Sequence, residues 1–275
     1  MSIIDCHIHL NNYDELNKTE DKVLSLEERL NALLGSMEDN GIIYSLILSS
    51  YKVDVNRPST SQIIESINLN NAENKIGVVA GYTIDNHAPD DLIHYREWIK
   101  DGIIKGIKLY CGYEHHYPYD ERYQMVYDMC TEFDCPVMIH TGDAFSNKAK
   151  IKYAHPLNID DVAVDNPDLK IVMCHIGNPW ITDCQEVLYK NKNVYADISG
   201  LIIGNFTLSG ERHYASKINE MLNYVENPHR LLYGSDWPIS NMKSYVNFVQ
   251  KLELDKESYE LLMFENSKNI FKLSL

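Results

Sequence analysis

The chain has little that would tie it to a membrane or to nucleic acid. No apolar run among its 275 residues approaches bilayer-spanning length, and the N-terminus carries no positively charged, apolar leader. Basic residues are the minority: 25 Lys and Arg stand against 40 Asp and Glu, a formal net charge of −15. An acidic surface disfavours nucleic acid and anionic membranes as partners, since both are drawn to positive patches. The six cysteines are scattered, with no C-x-x-C pair, which points to free thiols in a reducing cytoplasm. Internal repeats, low-complexity segments and a domain linker are also missing, so residues 1–275 read as one domain. A homo-oligomer is compatible with these features, but nothing in them fixes the oligomeric state. The expected partner is a small-molecule substrate.

What is present is a rhythm. Short β-rich runs at 3–9, 42–49, 76–82, 103–110, 136–141, 169–175, 193–199 and 230–235 alternate with amphipathic stretches near 26–40, 59–74, 90–101, 120–134, 158–166, 180–191, 211–226 and 241–252. Helix stops are marked at Asn40-Gly41, Asp101-Gly102, Asn166-Pro167 and Asn227-Pro228. Eight strands alternating with helices predict parallel pairing, and the count predicts an α/β fold of the (β/α)₈ TIM-barrel type. An open doubly wound sheet would need a phosphate-binding glycine loop after an early strand, and none is present. A last helical stretch, 259–272, is expected to close the bottom or side of the barrel.

Chemistry concentrates at the strand ends. Asp5-Cys6-His7-Ile8-His9 opens the chain, and strand alternation turns His7 and His9 to the same side. Lys108, His140, His175 and Asp236 fall at the ends of the fourth, fifth, sixth and eighth runs. In a parallel barrel that end holds the active site. Four histidines and a carboxylate gathered there point to a metal enzyme rather than to unrelated structural polar groups.

These pieces carry a family resemblance. Asp5-Cys6-His7-Ile8-His9, Gly106-Ile107-Lys108-Leu109-Tyr110, Pro136-Val137-Met138-Ile139-His140-Thr141-Gly142, Cys174-His175-Ile176-Gly177 and Gly234-Ser235-Asp236-Trp237-Pro238 together resemble the amidohydrolase superfamily. Within it they resemble the amidohydrolase-2 branch, which includes aminocarboxymuconate-semialdehyde-decarboxylase-like proteins. The resemblance implies that His7, His9, His140 and Asp236 bind a divalent metal, that Asp236 moves the proton of a metal-activated water, and that His175 completes a second metal site or hydrogen-bonds the reacting group. Imidazole and carboxylate ligands suit zinc, with manganese or another divalent ion as alternatives. The implied activity is hydrolysis of an amide, cyclic amide or lactone. The rival activity is non-oxidative decarboxylation of an unsaturated or aromatic acid, which needs a carboxylate clamp. A non-catalytic metal-binding scaffold is the third reading.

Lys108 has three readings of equal weight. It is a carbamate bridging two metals, a cation paired with Asp236 or an anionic substrate, or a side chain reaching the rim. Alternation turns Cys6 and Cys174 away from the ligands, as filler, and leaves Asp5 to hold a histidine tautomer or cap a turn. After the fourth run, Tyr110, Tyr113, Tyr117, Tyr119, Tyr123 and Tyr127 crowd together around His115 and His116. Tyr110 shares a face with Lys108 and is expected to border the pocket, its hydroxyl orienting a substrate oxygen. Further substrate-binding residues are expected at Arg57, Asp143, Trp180 and Arg212, with Asn178 and His213 nearby. Arginine is scarce, six in all, and one on a top loop could clamp a carboxylate.

Overall fold

The computed structural model describes residues 2–12, 23–87, 90–225 and 228–275. Among them, eight strands form one parallel sheet in sequence order: β1 (Ile3–Ile8), β2 (Ile42–Leu48), β3 (Ile76–Tyr82), β4 (Ile104–Leu109), β5 (Val137–Ile139), β6 (Ile171–Met173), β7 (Val194–Asp197) and β8 (Leu231–Leu232). Helices fill the connections: α1 (Leu26–Asp39), α2 (Thr60–Leu69), α3 (Asp91–Lys100), α4 (Gln124–Glu132), α5 (Asn158–Asp165), α6 (Ile181–Lys190), α7 (Leu208–Val225) and α8 (Met242–Val249). This is the TIM barrel that the alternation predicted.

Local chemistry sets the boundaries. Reciprocal capping boxes start α1 (Ser25 with Glu28) and α2 (Ser59 with Gln62). The second helix ends at Leu69, short of the expected 74, because the chain turns at Asn70 and Asn71, the latter in the left-handed region at φ 51°. The seventh begins at Leu208, three residues earlier than expected. Its expected end at 226 and the Asn227 half of the Asn227-Pro228 stop lie outside the described residues. No helix among the described residues is long and apolar enough to cross a membrane.

The strand β8 is far shorter than the expected 230–235, so irregular chain completes the barrel. Cys6 N–H donates to Tyr233 O (3.0 Å), Asp236 N–H to His7 O (2.8 Å) and His9 N–H to Trp237 O (2.7 Å). The seam between first and last strands therefore carries functional-looking residues on both sides.

Two buried apolar clusters lie on the two faces of the sheet. The larger joins the strands to the helices. The smaller takes alternate residues of β2 (Tyr44, Leu46, Leu48) with Ile4, Val79, Met138, Val172 and Leu232, and fills the barrel. Ile270, Phe271 and Leu273 belong to this inner cluster. The chain reaches them through the helical run α9 (Lys256–Glu260), a π-turn segment and α10 (Asn266–Ile270), of which Ile270 is the last residue. Lys272 pairs with Asp134, two residues before the β5 approach at Pro136, at 2.7 Å. The C-terminal tail thus plugs the N-terminal end of the barrel. Phe271→Ala should leave a cavity in the plug and cost about 3–5 kcal/mol. Chemical denaturation reads this, and a loss below about 1 kcal/mol would show that the ring is not part of the barrel core.

Candidate active site at the C-terminal barrel mouth

Opposite the plug, the strand ends enclose an open cavity of about 550 Å³ lined by His7, His9, Lys108, His140, His175 and Asp236. A neighbouring space of about 830 Å³ shares His140, His175 and Asp236 with it. All six residues expected at the strand ends therefore meet in one place.

Three of the expected ligands converge most closely. Ligand atoms of His7, His9 and Asp236 lie within 4.8 Å of one another. Asp236 Oδ1 is 3.8 Å from His7 Nε2 and 3.4 Å from His9 Nε2. His7 Nε2 and Asp236 Oδ1 are buried and have no hydrogen-bond partner. Buried polar atoms are normally satisfied, so two facing orphans of metal-ligand type fit a cation between them. His9 is oriented by Nδ1, 2.8 Å from Leu48 O. A carbonyl only accepts, so this nitrogen carries the proton and Nε2 the lone pair. His140 lines the same cavity but stands apart: its Nε2–H donates to Asp143 O at 2.9 Å, which leaves the lone pair on Nδ1.

Three site residues sit on unusual backbone. His175 (φ 63°), Ile176 (φ 42°) and Asp236 (φ 62°) occupy the left-handed region, at about 1–3 kcal/mol each for non-glycine residues. Two buried carboxylates hold them there. Asp197 Oδ1 accepts from His175 N–H at 3.0 Å. Asp5 accepts from Ser235 N–H (3.0 Å), Ser235 Oγ–H (2.6 Å) and His7 N–H (3.2 Å). Asp5 thus fixes backbone across the seam. The expected tautomer-holding role belongs instead to Asp197, whose Oδ2 lies 2.9 Å from His7 Nδ1.

Burial shapes the charge states. It pushes His7 down to about 4, against the opposing pull of Asp197. It also lowers His175, and holds His140 well below the usual imidazole range with help from the neighbouring His175 and Lys108. These imidazoles are neutral at neutral pH, the form that binds metal. Burial opposes ionisation of Asp197 and Asp236 too, but their histidine contacts outweigh it and both carboxylates lie below their ordinary value. Asp5 lacks such partners, and burial raises it to about 7.

The structure corrects several sequence expectations. Cys174 faces into the barrel, its Sγ 2.6 Å from Lys108 Nζ, and Cys6 belongs to the inner cluster. Simple alternation fails because the β1–β2 register shifts between Asp5 and Ile8, and because Cys174 and His175 lie in a turn beyond β6. Lys108 is 1% exposed, so it does not reach the rim, and its hydrogen-bond partner is Cys174 rather than Asp236. Tyr110 borders the cavity, but its hydroxyl donates to Ser49 O, so the ring is the wall. Arg57 lines the cavity; Asp143 lines the neighbouring space, with its Oδ1 accepting from Ala144 N–H. Asn178 lines that space as well.

Trp180 and Arg212 lie elsewhere. Trp180 packs against His155, ring centroids 4.7 Å apart, at the start of α6. The chain runs ten residues past β7 before α7 begins, which puts Arg212 on an exposed helical turn beside the equally exposed His213. His115 stacks on Tyr153 at 5.9 Å, outside the cavity lining. His116 Nδ1 accepts from Arg122, so its Nε2–H faces Asp85 in a hydrogen-bond chain outside the cavity lining. Sequence reasoning missed Asp197 and Ser199, although Asp197-Ile198-Ser199-Gly200 ends a recognisable strand. It also missed Tyr51 and Phe145, whose loops carry no patterned signal.

Comparison with known proteins fits this geometry. An amidohydrolase family model, Amidohydro_2, matches residues 4–273. The chain belongs to the amidohydrolase family. No curated protein matches it significantly. Among solved structures, an uncharacterized TIM-barrel protein of Bordetella bronchiseptica shares 21% identity over 99% of both chains, with a TM-score of 0.76. A probable 2-pyrone-4,6-dicarboxylic acid hydrolase of Acinetobacter baumannii, with citric acid bound, shares 15% over 99% of this chain and all of its own (100%), TM-score 0.67. A 5-carboxyvanillate decarboxylase of Novosphingobium aromaticivorans with bound manganese shares 12% over 98% and 97% of the two chains, TM-score 0.67. At these identities the structural likeness shows the fold. The family match makes this chain an amidohydrolase-family enzyme, and its fold is shared with proteins described as hydrolases and as decarboxylases.

The seam contacts can be probed directly. Asp5→Ala would leave three buried donors without their acceptor, each worth about 1–3 kcal/mol. The expected outcome is a loss of several kcal/mol in chemical denaturation; an unchanged midpoint would show that the seam is held by other contacts.

Proposed function

We propose that the chain is a metal-dependent hydrolase that cleaves an amide, cyclic amide or lactone bond in a small substrate bearing a carboxylate. The observation that carries this reading is the facing pair of unpartnered buried atoms, His7 Nε2 and Asp236 Oδ1, beside His9 Nε2. His7, His9 and Asp236 would hold the ion, with His140 on the same wall. Zinc and manganese both suit the nitrogen and oxygen donors. A divalent ion there supplies a Lewis acid and acidifies a water to near neutrality.

The chain's own groups do the rest. The ionised Asp236 carboxylate accepts a proton and returns it to the leaving group. His175, neutral and within the same cavity, hydrogen-bonds the reacting carbonyl or carboxylate. Tyr110, Tyr113 and Tyr51 form an aromatic wall, with Tyr51 and Tyr113 stacked at 5.0 Å. Arg57 reaches the cavity with its Nε buried and unpartnered. A guanidinium edge of that kind suits a carboxylate.

Arg57 also supports the second reading, decarboxylation of an unsaturated or aromatic acid, because that reaction needs its carboxylate held in place. Incubation with 2-pyrone-4,6-dicarboxylate and with 5-carboxyvanillate separates the two. Ring opening with oxygen incorporated from labelled water supports hydrolysis, and release of carbon dioxide supports decarboxylation.

Protein purified without chelator should hold about one divalent ion per chain, and His7→Asn should lose it. Metal-free wild-type protein whose activity ignores chelators would overturn the assignment. Arg57→Gln should raise KM for carboxylated substrates by about 10–100-fold, the worth of a charge-assisted hydrogen bond of about 1.5–3 kcal/mol. An unchanged KM would remove Arg57 from substrate binding.

A further inference from the structure

Two cavity histidines, one on β1 and one in the turn after β6, share one support. His7 Nδ1 lies 2.9 Å from Asp197 Oδ2 and 3.0 Å from Ser199 Oγ. His175 Nδ1 lies 2.9 Å from the same Ser199 Oγ. The tautomer of an imidazole follows from what its second nitrogen meets, and here the donors can be assigned. Ser199 has one hydroxyl proton. Its Oγ is 2.5 Å from Asp197 Oδ1, and an ionised carboxylate only accepts, so the proton goes to Asp197. Ser199 then has only lone pairs to offer, and His175 must donate from Nδ1. Asp197 Oδ2 likewise can only accept from His7 Nδ1.

We propose that Asp197 and Ser199 are positioning residues that lock His7 and His175 together as Nδ1–H tautomers, leaving the lone pair of each ring on Nε2. Asp197 Oδ1 also accepts from the backbone N–H of His175 (3.0 Å) and of Ser199 (3.1 Å), so the carboxylate has little freedom to turn. Gly200 completes the seat. A Cβ there would stand 2.3 Å from His175 Nδ1, and its φ of 64° suits glycine. The segment Asp197-Ile198-Ser199-Gly200 is thus shaped around the Nδ1 side of His175. Through one hydroxyl, the group assigned to metal binding and the group assigned to the reacting bond hold the same orientation. The catalytic consequence rests on the metal-enzyme reading above; the tautomers themselves do not.

Ring nitrogen-15 spectra of the full chain, labelled at histidine and taken as purified, test this. His175 is assigned by the signal lost in His175→Asn, and His7 by the signal lost in His7→Asn. Wild-type protein should show both rings protonated at Nδ1 and unprotonated at Nε2. Ser199→Ala should release the tautomer of His175 while His7, still on Asp197, keeps its own. With a turned-over substrate, the same variant should lower kcat on the order of 10-fold with KM changed less than about twofold. An Nε2–H tautomer at His175 in the wild type, or an unchanged His175 pattern in Ser199→Ala, would overturn the proposal. If the spectra behave as stated while no hydrolysis or decarboxylation is found, the pair stands and the reaction assignment falls.

Discussion

The contact on which the site depends is the grip of Asp5 on Ser235. These residues stand 230 positions apart, yet their bonds join the first strand to the chain beyond the last. The two-residue β8 is too short to close the barrel by strand pairing alone. Asp5 supplies what is missing, with acceptors for Ser235 and for the His7 backbone together. His7 lies two residues beyond Asp5 and Asp236 directly follows Ser235, so the same bonds that complete the barrel set the distance between two groups of the site. Fold and chemistry are coupled here through neighbouring backbone, rather than through a flexible loop.

Buried carboxylates divide the labour. Asp5 faces backbone and a hydroxyl, and burial dominates its ionisation. Asp197 faces histidines and backbone N–H groups, and remains a carboxylate despite complete burial. The third, Asp236, opens onto the cavity. Sequence alone makes these three residues alike; their partners make one a clasp, tie one to the histidines and leave one open to the cavity.

The barrel was legible because its signal is periodic and repeated: eight alternations of strand and helix, each with turn residues between. The strand-end histidines were legible because the barrel itself says which end of each strand matters. What stayed hidden depends on local departures from regularity. The β1–β2 register shift and the turn after β6 bring Cys6 and Cys174 inward, where alternation would send them outward. The ten-residue connection after β7 carries Arg212 away from the mouth. Asp197 and Ser199 were missed because His7 lies 190 residues from Asp197 and His175 lies 24 from Ser199. Only the closed barrel makes them neighbours.

The tail that fills the far end of the barrel has a consequence for traffic. With Ile270, Phe271 and Leu273 packed among the inward residues, the barrel is, among the described residues, a vessel closed at its base. A product must depart by the opening through which its precursor arrived, past Tyr51, Tyr113 and Arg57. If Arg57 holds the substrate's carboxylate as proposed, a product that keeps that group keeps its handle as well. Such a molecule would compete directly with the next substrate, and turnover would slow as product accumulates.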